Sequence, residues 1–218
     1  MLIAGLSGSL RQGSYNTALL RTAGTLLPAG VKLRLFGGLH AVPPYDEDAD
    51  GDTPPPPVTA LRDAIEQADA LLIATPEYNA SVPGVLKNAL DWASRPYPDN
   101  AVRQKPVAVI GASTGLFGAV WAQAEIRKAL RTAGADVLER ELGIALAAEA
   151  FTAAGALRDP SAAAALTGLL AELCDQASVV SGGREQVRRH AVASVRKIGQ
   201  AISVRQASVS SVSRRPTR

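Results

Sequence analysis

The chain has 218 residues, 47% of them hydrophobic, which is enough for one α/β domain with a sizeable core. Its single cysteine, Cys174, excludes an internal disulfide, and its two histidines lie too far apart in sequence to suggest a metal cluster. The net charge of +3 hides an asymmetry: residues 181–218 hold nine Arg and Lys against one Glu, or +8, which leaves −5 for the rest. The basic pI therefore does not indicate nucleic-acid binding by the domain.

Apolar runs alternate with helical patterns along the first 180 residues. The predicted strands are Leu2–Leu6, Val31–Phe36, Ala70–Ala74, Val107–Ile110 and Val137–Leu142. The predicted helices are Asn16–Leu27, Val58–Ala68, Gly84–Ser94, Phe117–Ala133 and Ala162–Gln176. This alternation predicts a five-stranded parallel sheet covered by helices on both faces, with strand order 2-1-3-4-5. Such a sheet binds ligands outside the carboxyl ends of its strands.

Two stretches lack this pattern. Residues 37–57 are rich in Gly, Pro and Asp and are expected to form an extended, stiff loop. From Ser181 onward Ser, Val, Arg and Gln dominate, so we expect a domain over residues 1–180 and a largely disordered basic tail over residues 181–218. No apolar run approaches the roughly 20 residues that cross a bilayer, and the N-terminus lacks a basic leader, so a cytoplasmic location is expected.

A loop of small and hydroxyl residues lies between the first predicted strand and helix. A helix N-terminus exposes unpaired N–H groups and a positive dipole end, which suit an anion such as phosphate. The side-chain donors near it, including one cation, are Ser7, Ser9, Arg11, Ser14, Asn16 and Thr17. The segment predicts a phosphate cradle, although a simple Ser or Asn N-cap with a Gly turn would leave a similar pattern.

The glycine spacing distinguishes this loop from other nucleotide loops. Gly8 and Gly13 have the Walker separation, but Ser14 and Tyr15 follow where that motif needs Lys and Ser or Thr. Gly5 and Gly8 do not make the dinucleotide spacing, and no acidic residue ends the second strand. Hydroxyl groups around a terminal phosphate fit a mononucleotide better.

The loop after the third predicted strand, Thr75–Pro83, carries two prolines that stiffen it. Between them lie Glu77, Tyr78 and Asn79, at the edge of the sheet where ligands bind. A planar heteroaromatic ring needs a flat face to stack on and polar groups at its rim, and these residues offer both. A Pro-rich turn with Ser81 as a helix N-cap would explain the prolines but not the Glu-Tyr-Asn run.

The loop after the fourth predicted strand, Gly111–Gly118, consists mostly of small residues, which let backbone approach a ligand closely. One such loop is a weak signal, because many strand-to-helix loops contain two glycines. Three such loops, each after a strand and before a helix, would converge on one edge of the sheet. Together they predict a single ligand site.

The first two loops resemble the NADPH-dependent FMN reductase family. The matching segments are Gly8-Ser-Leu-Arg-x-Gly-Ser-x-Asn16 and Thr75-Pro-Glu-Tyr-Asn-x-Ser-x-Pro-Gly-x-Leu-Lys-Asn-Ala-x-Asp-Trp92. That family includes chromate-reductase-like quinone and azo reductases. The resemblance covers about residues 1–178 and implies a flavodoxin-like, three-layer α/β/α fold. One departure is Ser113-Thr114-Gly115, because Thr114 takes the place of the proline in the Ser-Pro-Gly that many relatives resemble.

Carried over by position, the resemblance implies that the site holds FMN. The residues implied for its phosphate are Ser9, Arg11, Ser14, Asn16 and Thr17. Those implied to border the ribityl chain and isoalloxazine are Pro76, Glu77, Tyr78 and Asn79. Ser113, Thr114 and Gly115 would hold the other side of the ring.

The resemblance also implies an enzyme. NAD(P)H would pass a hydride to N5 of FMN, and a quinone, azo compound, metal oxyanion or free flavin would then be reduced in a ping-pong scheme. No side chain is required as nucleophile or general acid, and no metal is expected. A homodimer or homotetramer is implied, without membrane or nucleic-acid partners. The alternative is a flavodoxin-like electron carrier or regulatory FMN-binding protein that does not turn over pyridine nucleotide.

Five residues have ordinary structural interpretations. Glu77 is expected to accept hydrogen bonds from a neighbouring loop or subunit rather than to act as a base. Lys87 and Asp91 have the i,i+4 spacing of a helical ion pair. Trp92 and Trp121 are expected in the core or at a dimer contact rather than on the flavin.

Overall fold

A parallel sheet forms the middle layer of the computed structural model, which describes residues 1–180 and 182. Its strands are β1 Leu2–Ser7, β2 Lys32–Phe36, β3 Ala70–Thr75, β4 Pro106–Ala112, β5 Asp136–Val137 and β6 Leu142–Ile144. The helices are α1 Tyr15–Leu26, α2 Pro56–Glu66, α3 Gly84–Ala93, α4 Val120–Thr132, α5 Ala147–Ala150 and α6 Pro160–Val180. The predicted alternation of strands and helices is confirmed.

The strand order is β2-β1-β3-β4-β5, as predicted, but the expected fifth strand is divided. β5 pairs with the start of β4 and β6 with its end, so that Val107 lies opposite Val137 and Ile110 opposite Leu142. The prediction of one strand over Val137–Leu142 was therefore wrong in its continuity. Between the two strands, Glu139 and Glu141 form ion pairs with Arg131 and Arg127 of α4.

Two apolar layers enclose the sheet. β3 and β4 are buried along their whole length because helices cover both of their faces. On one face α2, α3 and α4 contribute Leu61, Trp92 and Ile126. On the other face α1 and α6 contribute Leu20 and Leu170. With few aromatics, the core is built from Ala, Val, Leu and Ile, each buried Leu contributing about 1.5–3 kcal/mol.

α6 is 21 residues long, and among the described residues it is the one helix long and apolar enough to cross a membrane by length and composition. The expectation that no apolar segment reaches this length was therefore wrong. In the fold, the apolar stripe of α6 packs on the sheet, with Leu166, Leu169 and Leu173 fully buried. The compact unit runs from Met1 to Ala177. The predicted basic tail lies outside the described residues except for Gly182, so the domain boundary stays a prediction.

The loop of residues 37–57 is less extended than predicted. It contains two short 3-10 helices, Leu39–Ala41 and Glu47–Ala49, and its last prolines begin α2, because proline is favoured in the first helical turn. The indole N–H of Trp92 donates to the Pro43 carbonyl at 2.8 Å, which fastens the loop to α3. Trp92 is completely buried there and belongs to the core, as expected.

Candidate functional site

Three loops lie side by side at the carboxyl edge of the sheet, because β1, β3 and β4 are neighbours in it. We call residues 8–14 the first loop, residues 76–83 the second loop and residues 113–119 the third loop. The strands that precede them end at one level, since Ser7 is in register with Ala74 and Thr75 with Gly111. The convergence predicted from the sequence is therefore present in the fold.

The first loop turns tightly between β1 and α1. The Gly8 N–H donates to the Ala74 carbonyl at 2.8 Å, and a Cβ on Gly8 would lie 2.9 Å from the Leu86 side chain. Ser14 caps α1, with its hydroxyl accepting a hydrogen bond from the Thr17 N–H at 3.2 Å. The hydroxyls of Ser7 and Thr17 are 2.8 Å apart. Small residues thus hold the backbone of this loop against its neighbours.

The N-terminus of α1 is electropositive and open. Its first turn contains no acidic residue, and within the described part of the chain the N–H groups of residues 10–13 donate to no other group. Arg11 adds an exposed positive charge to the same loop. Unpaired donors, the helix dipole and a guanidinium form the donor set that a phosphate requires, so the residues present fit the phosphate of FMN.

Asn16 has an observed structural role at this site. Its Nδ2 donates to the Ala112 carbonyl and its Oδ1 accepts from the Ala112 N–H, both at 2.9 Å, and the side chain is buried. The amide therefore ties the start of α1 to the end of β4 and holds the first loop beside the third. A contact between Asn16 and FMN stays a prediction.

The second loop contains a tight two-residue turn. Tyr78 and Ser81 exchange two backbone hydrogen bonds of 3.1 Å, with Asn79 at φ 52° and Ala80 at φ 55° between them. Two consecutive positive φ angles define a type I′ turn. The turn presents Tyr78, a residue that is 53% exposed, at the edge of the site.

Two carboxylates join the second loop to α4. Oε2 of Glu77 accepts hydrogen bonds from the first turn of α4, as expected of an acceptor for a neighbouring loop. In return, Oε2 of Glu125 accepts from the Ser81 hydroxyl at 2.7 Å and from the Val82 N–H at 3.2 Å. These bonds hold the pKa of Glu125 below its ordinary value, the Ser81 hydroxyl having the largest effect. Ser81 is therefore not an N-cap; that position before α3 is Pro83.

The third loop is fixed from its other side by β6 and the residues that follow it. The Ser113 N–H donates to the Ile144 carbonyl and the Leu146 N–H to the Gly115 carbonyl, both at 3.0 Å. Gly118 lies so close to Gly143 that a Cβ on Gly118 would be 2.5 Å from the Gly143 carbonyl carbon. Gly143, Ile144 and Leu146 were not predicted to support this loop, and the small residue Gly143 was the signal that could have indicated the close approach.

Exposed aromatic and apolar side chains surround the third loop. Phe117 and Trp121 are 64% and 47% exposed and meet edge to face with ring centroids 5.1 Å apart. Leu116 beside them is also exposed. Trp121 is therefore outside the core of this chain. Large apolar groups beside a polar site are typical of surfaces that contact an aromatic ligand or a partner.

A parallel sheet of this order, with three strand-to-helix loops and the open N-terminus of α1 at its carboxyl edge, defines a flavodoxin-like mononucleotide-binding protein. A sequence model of one such family, NADPH-dependent FMN reductase, matches residues 1–149. The chain belongs to the NADPH-dependent FMN reductase family. This family membership confirms three expectations from the resemblance: FMN as cofactor, NAD(P)H as electron donor, and enzymatic activity.

Individual relatives support this assignment to the family. The chain is 47% identical over 161 residues to an NAD(P)H-dependent FMN reductase of Pseudomonas aeruginosa, covering 73% of this chain and 86% of that protein. It is 40% identical over 136 residues to a quinone reductase of Escherichia coli K12, covering 62% and 72%. Among solved structures it resembles a flavoenzyme NAD(P)H:(acceptor) oxidoreductase of Paracoccus denitrificans, with a TM-score of 0.74, 38% identity and coverage of 81% and 97%.

Proposed function

We propose that the three loops hold one FMN, with its phosphate at the first loop and its ring between the second and third loops. One observation carries this assignment: the N-terminus of α4 is occupied by the chain's own Glu77, whereas that of α1 has no acidic partner. A phosphate is therefore attracted to α1 and repelled from α4.

The residues proposed to contact FMN are those the family resemblance implied. They are Ser9, Arg11, Ser14, Asn16 and Thr17 for the phosphate, Pro76, Glu77, Tyr78 and Asn79 for the ribityl chain and ring, and Ser113, Thr114 and Gly115 for the opposite side. When bound, FMN supplies the hydride and electron chemistry. The chain's own contribution is to bind, to orient and to exclude water.

We propose a quinone as the acceptor that follows NAD(P)H in the same pocket. Relatives named as quinone reductases support this, at 40–41% identity. The exposed rings of Tyr78, Phe117 and Trp121 support it as well, because they offer an apolar mouth to a planar aromatic molecule. Azo compounds, metal oxyanions and free flavin are the acceptors to compare with it.

A homodimer is proposed through the groove between α3 and α4. This groove has a volume of about 600 Å³, an apolar lining that includes Leu90 and Ile126, and both Lys87 and Asp91 at its side. Lys87 and Asp91 form the expected ion pair of 2.6 Å. Lys128 also lines the groove. A two-fold axis through the groove can therefore place Lys128 of one copy opposite Asp91 of the other. Light scattering at several concentrations of wild type and Lys128→Glu tests this, and an unchanged monomer would reject it.

We also propose a cytoplasmic location, where NAD(P)H is generated and where thiols stay reduced. The chain's single cysteine, Cys174, allows no internal disulfide, which fits such a compartment.

The decisive experiment is an absorption spectrum of the purified protein before and after NADPH, followed by addition of a quinone. We expect flavin bands that NADPH bleaches and that a quinone restores, with NADPH consumed in proportion. Dialysis before the spectrum separates a retained cofactor from a flavin that leaves as product. A colourless protein that added FMN does not stabilise against heat would contradict the proposal.

A further inference from the structure

Three side chains form a stack that leads away from the first loop. The Arg11 guanidinium lies over the Tyr15 ring, with Cζ 5.0 Å from the ring centroid. The Tyr15 ring in turn lies parallel to the Phe151 ring, with centroids 6.2 Å apart and an interplanar angle of 6°. This is a cation–π contact continued by an offset aromatic pair.

Phe151 is supplied by a short hairpin of residues 151–157. Phe151 pairs with Leu157, and the Thr152 N–H donates to the Ala156 carbonyl at 2.8 Å. The hairpin is fastened to α1, because the Thr22 hydroxyl donates to the Gly155 carbonyl at 2.6 Å. It follows the residues that match the family, which end at residue 149.

The stack restrains Arg11 without neutralising it. None of the ion pairs among the described residues includes Arg11, so its full charge stays available to an anion. A Cβ on Gly13 would lie 3.4 Å from Nη1 of Arg11, which places the guanidinium against the backbone of the first loop. An arginine on an exposed loop otherwise loses rotamer freedom when it binds a ligand, and restraint beforehand reduces that loss.

We propose that Tyr15 and Phe151 are positioning residues, which hold the Arg11 guanidinium at the first loop ready for the phosphate of FMN. The inference rests on the proposed placement of that phosphate. It follows that the two rings should act through Arg11 and should affect binding of the phosphate alone.

The test compares FMN with riboflavin, which lacks the phosphate, by fluorescence titration of the FMN-free protein. Arg11→Ala should weaken FMN binding by about 10- to 100-fold and leave riboflavin unchanged. Tyr15→Leu should weaken FMN binding by about three- to tenfold, again without affecting riboflavin. Tyr15→Phe keeps the ring and should stay within about twofold of wild type. Arg21→Ala is the matched control, because it removes an exposed positive charge from α1, the helix that carries Tyr15.

A double variant shows whether Tyr15 acts through Arg11. In the Arg11→Ala background, Tyr15→Leu should have no further effect on FMN affinity. A Tyr15→Leu effect that is equal for FMN and riboflavin, or that persists in full without Arg11, would overturn the inference. Should Tyr15→Leu unfold, Phe151→Leu carries the same comparison, because it removes the outer ring only. A wild-type protein that binds FMN no more tightly than riboflavin would instead reject the phosphate site itself.

Discussion

The carboxylate of Glu77 caps α4 beside Trp121. Its Oε2 accepts the Trp121 N–H at 3.0 Å, and the Ala122 N–H at 3.1 Å. The second loop is thereby joined to the helix that follows the third loop, and Glu125 joins the same helix back to the second loop. Two carboxylates thus connect the second loop, proposed to border the flavin ring, to the helix that follows the third loop.

Removing the Glu77 cap should destabilise the protein. Glu77→Ala leaves two N–H groups unbonded and deletes a negative charge from the positive end of the α4 dipole, so we expect a loss of about 1–2 kcal/mol in unfolding free energy. Urea unfolding of the FMN-free protein measures it. Glu66→Ala, at the exposed C-terminal end of α2, is the control, expected within about 0.5 kcal/mol of wild type. Equal stability of the two variants would contradict the capping role.

The link through Glu125 should weaken in acid. The Ser81 hydroxyl, followed by the Val82 N–H, lowers the pKa of Glu125 below its ordinary value of 4.5. The folded state therefore holds fewer protons than the unfolded state near this pH. The stabilisation is complete above about pH 4.5 and is lost as the pH falls through the lowered pKa.

Ser81→Ala tests this link. It should raise the pKa of Glu125, measured by carboxyl NMR titration, and it should reduce the acid-side loss of stability. Ser161→Ala is the control, because Ser161 lowers the pKa of Asp159 by the same kind of contact, at the start of α6. Identical Glu125 titrations in wild type and Ser81→Ala would show that the hydroxyl has no such effect.

The tight turn of the second loop carries backbone strain at Ala80. An alanine at φ 55° is unfavourable by about 1–2 kcal/mol, whereas glycine adopts this conformation freely. Ala80→Gly should therefore stabilise the protein by about 0.5–1 kcal/mol after its greater unfolded-state entropy is included. Ala60→Gly, at an exposed position within α2, should destabilise by about 0.5–1 kcal/mol. Thermal unfolding of both variants decides, since a change of the same sign in both would exclude strain at residue 80.

The third loop should not tolerate a side chain at Gly118. Its φ is 56°, and a new Cβ would meet the Gly143 backbone at 2.5 Å. We expect Gly118→Ala to reduce unfolding free energy by about 2–4 kcal/mol and to weaken FMN binding. Gly84→Ala meets nothing within 4 Å and should change stability by less than about 0.5 kcal/mol. Calorimetry and FMN titration of the pair measure both effects.

The sheet order could be predicted because its main strands are buried apolar runs bounded by polar residues. β1, β3 and β4 each begin or end within two residues of the predicted limits. The division between β5 and β6 was not predicted, and the residues between them form ion pairs with Arg127 and Arg131 of a different element, α4. Pairings between distant segments leave no periodic signal.

The candidate site, like the fold, could be predicted only in part. The three loops were recognisable from their small residues and their position after strands. The partner of each polar group was not: a sequence shows that Asn16 can donate, but not that Ala112 receives the bond. Glu125 was also overlooked, because an exposed glutamate on a helix has the same pattern whether or not it bonds to Ser81.

The two margins of the sheet have a consequence for assembly. β2 carries exposed Lys32 and Arg34, and the opposite margin is divided between β5 and β6. Charged side chains and short, broken strands both discourage strand addition from another chain. Copies of this protein are therefore expected to join through helical surfaces, and a continuous intermolecular sheet is disfavoured from either side.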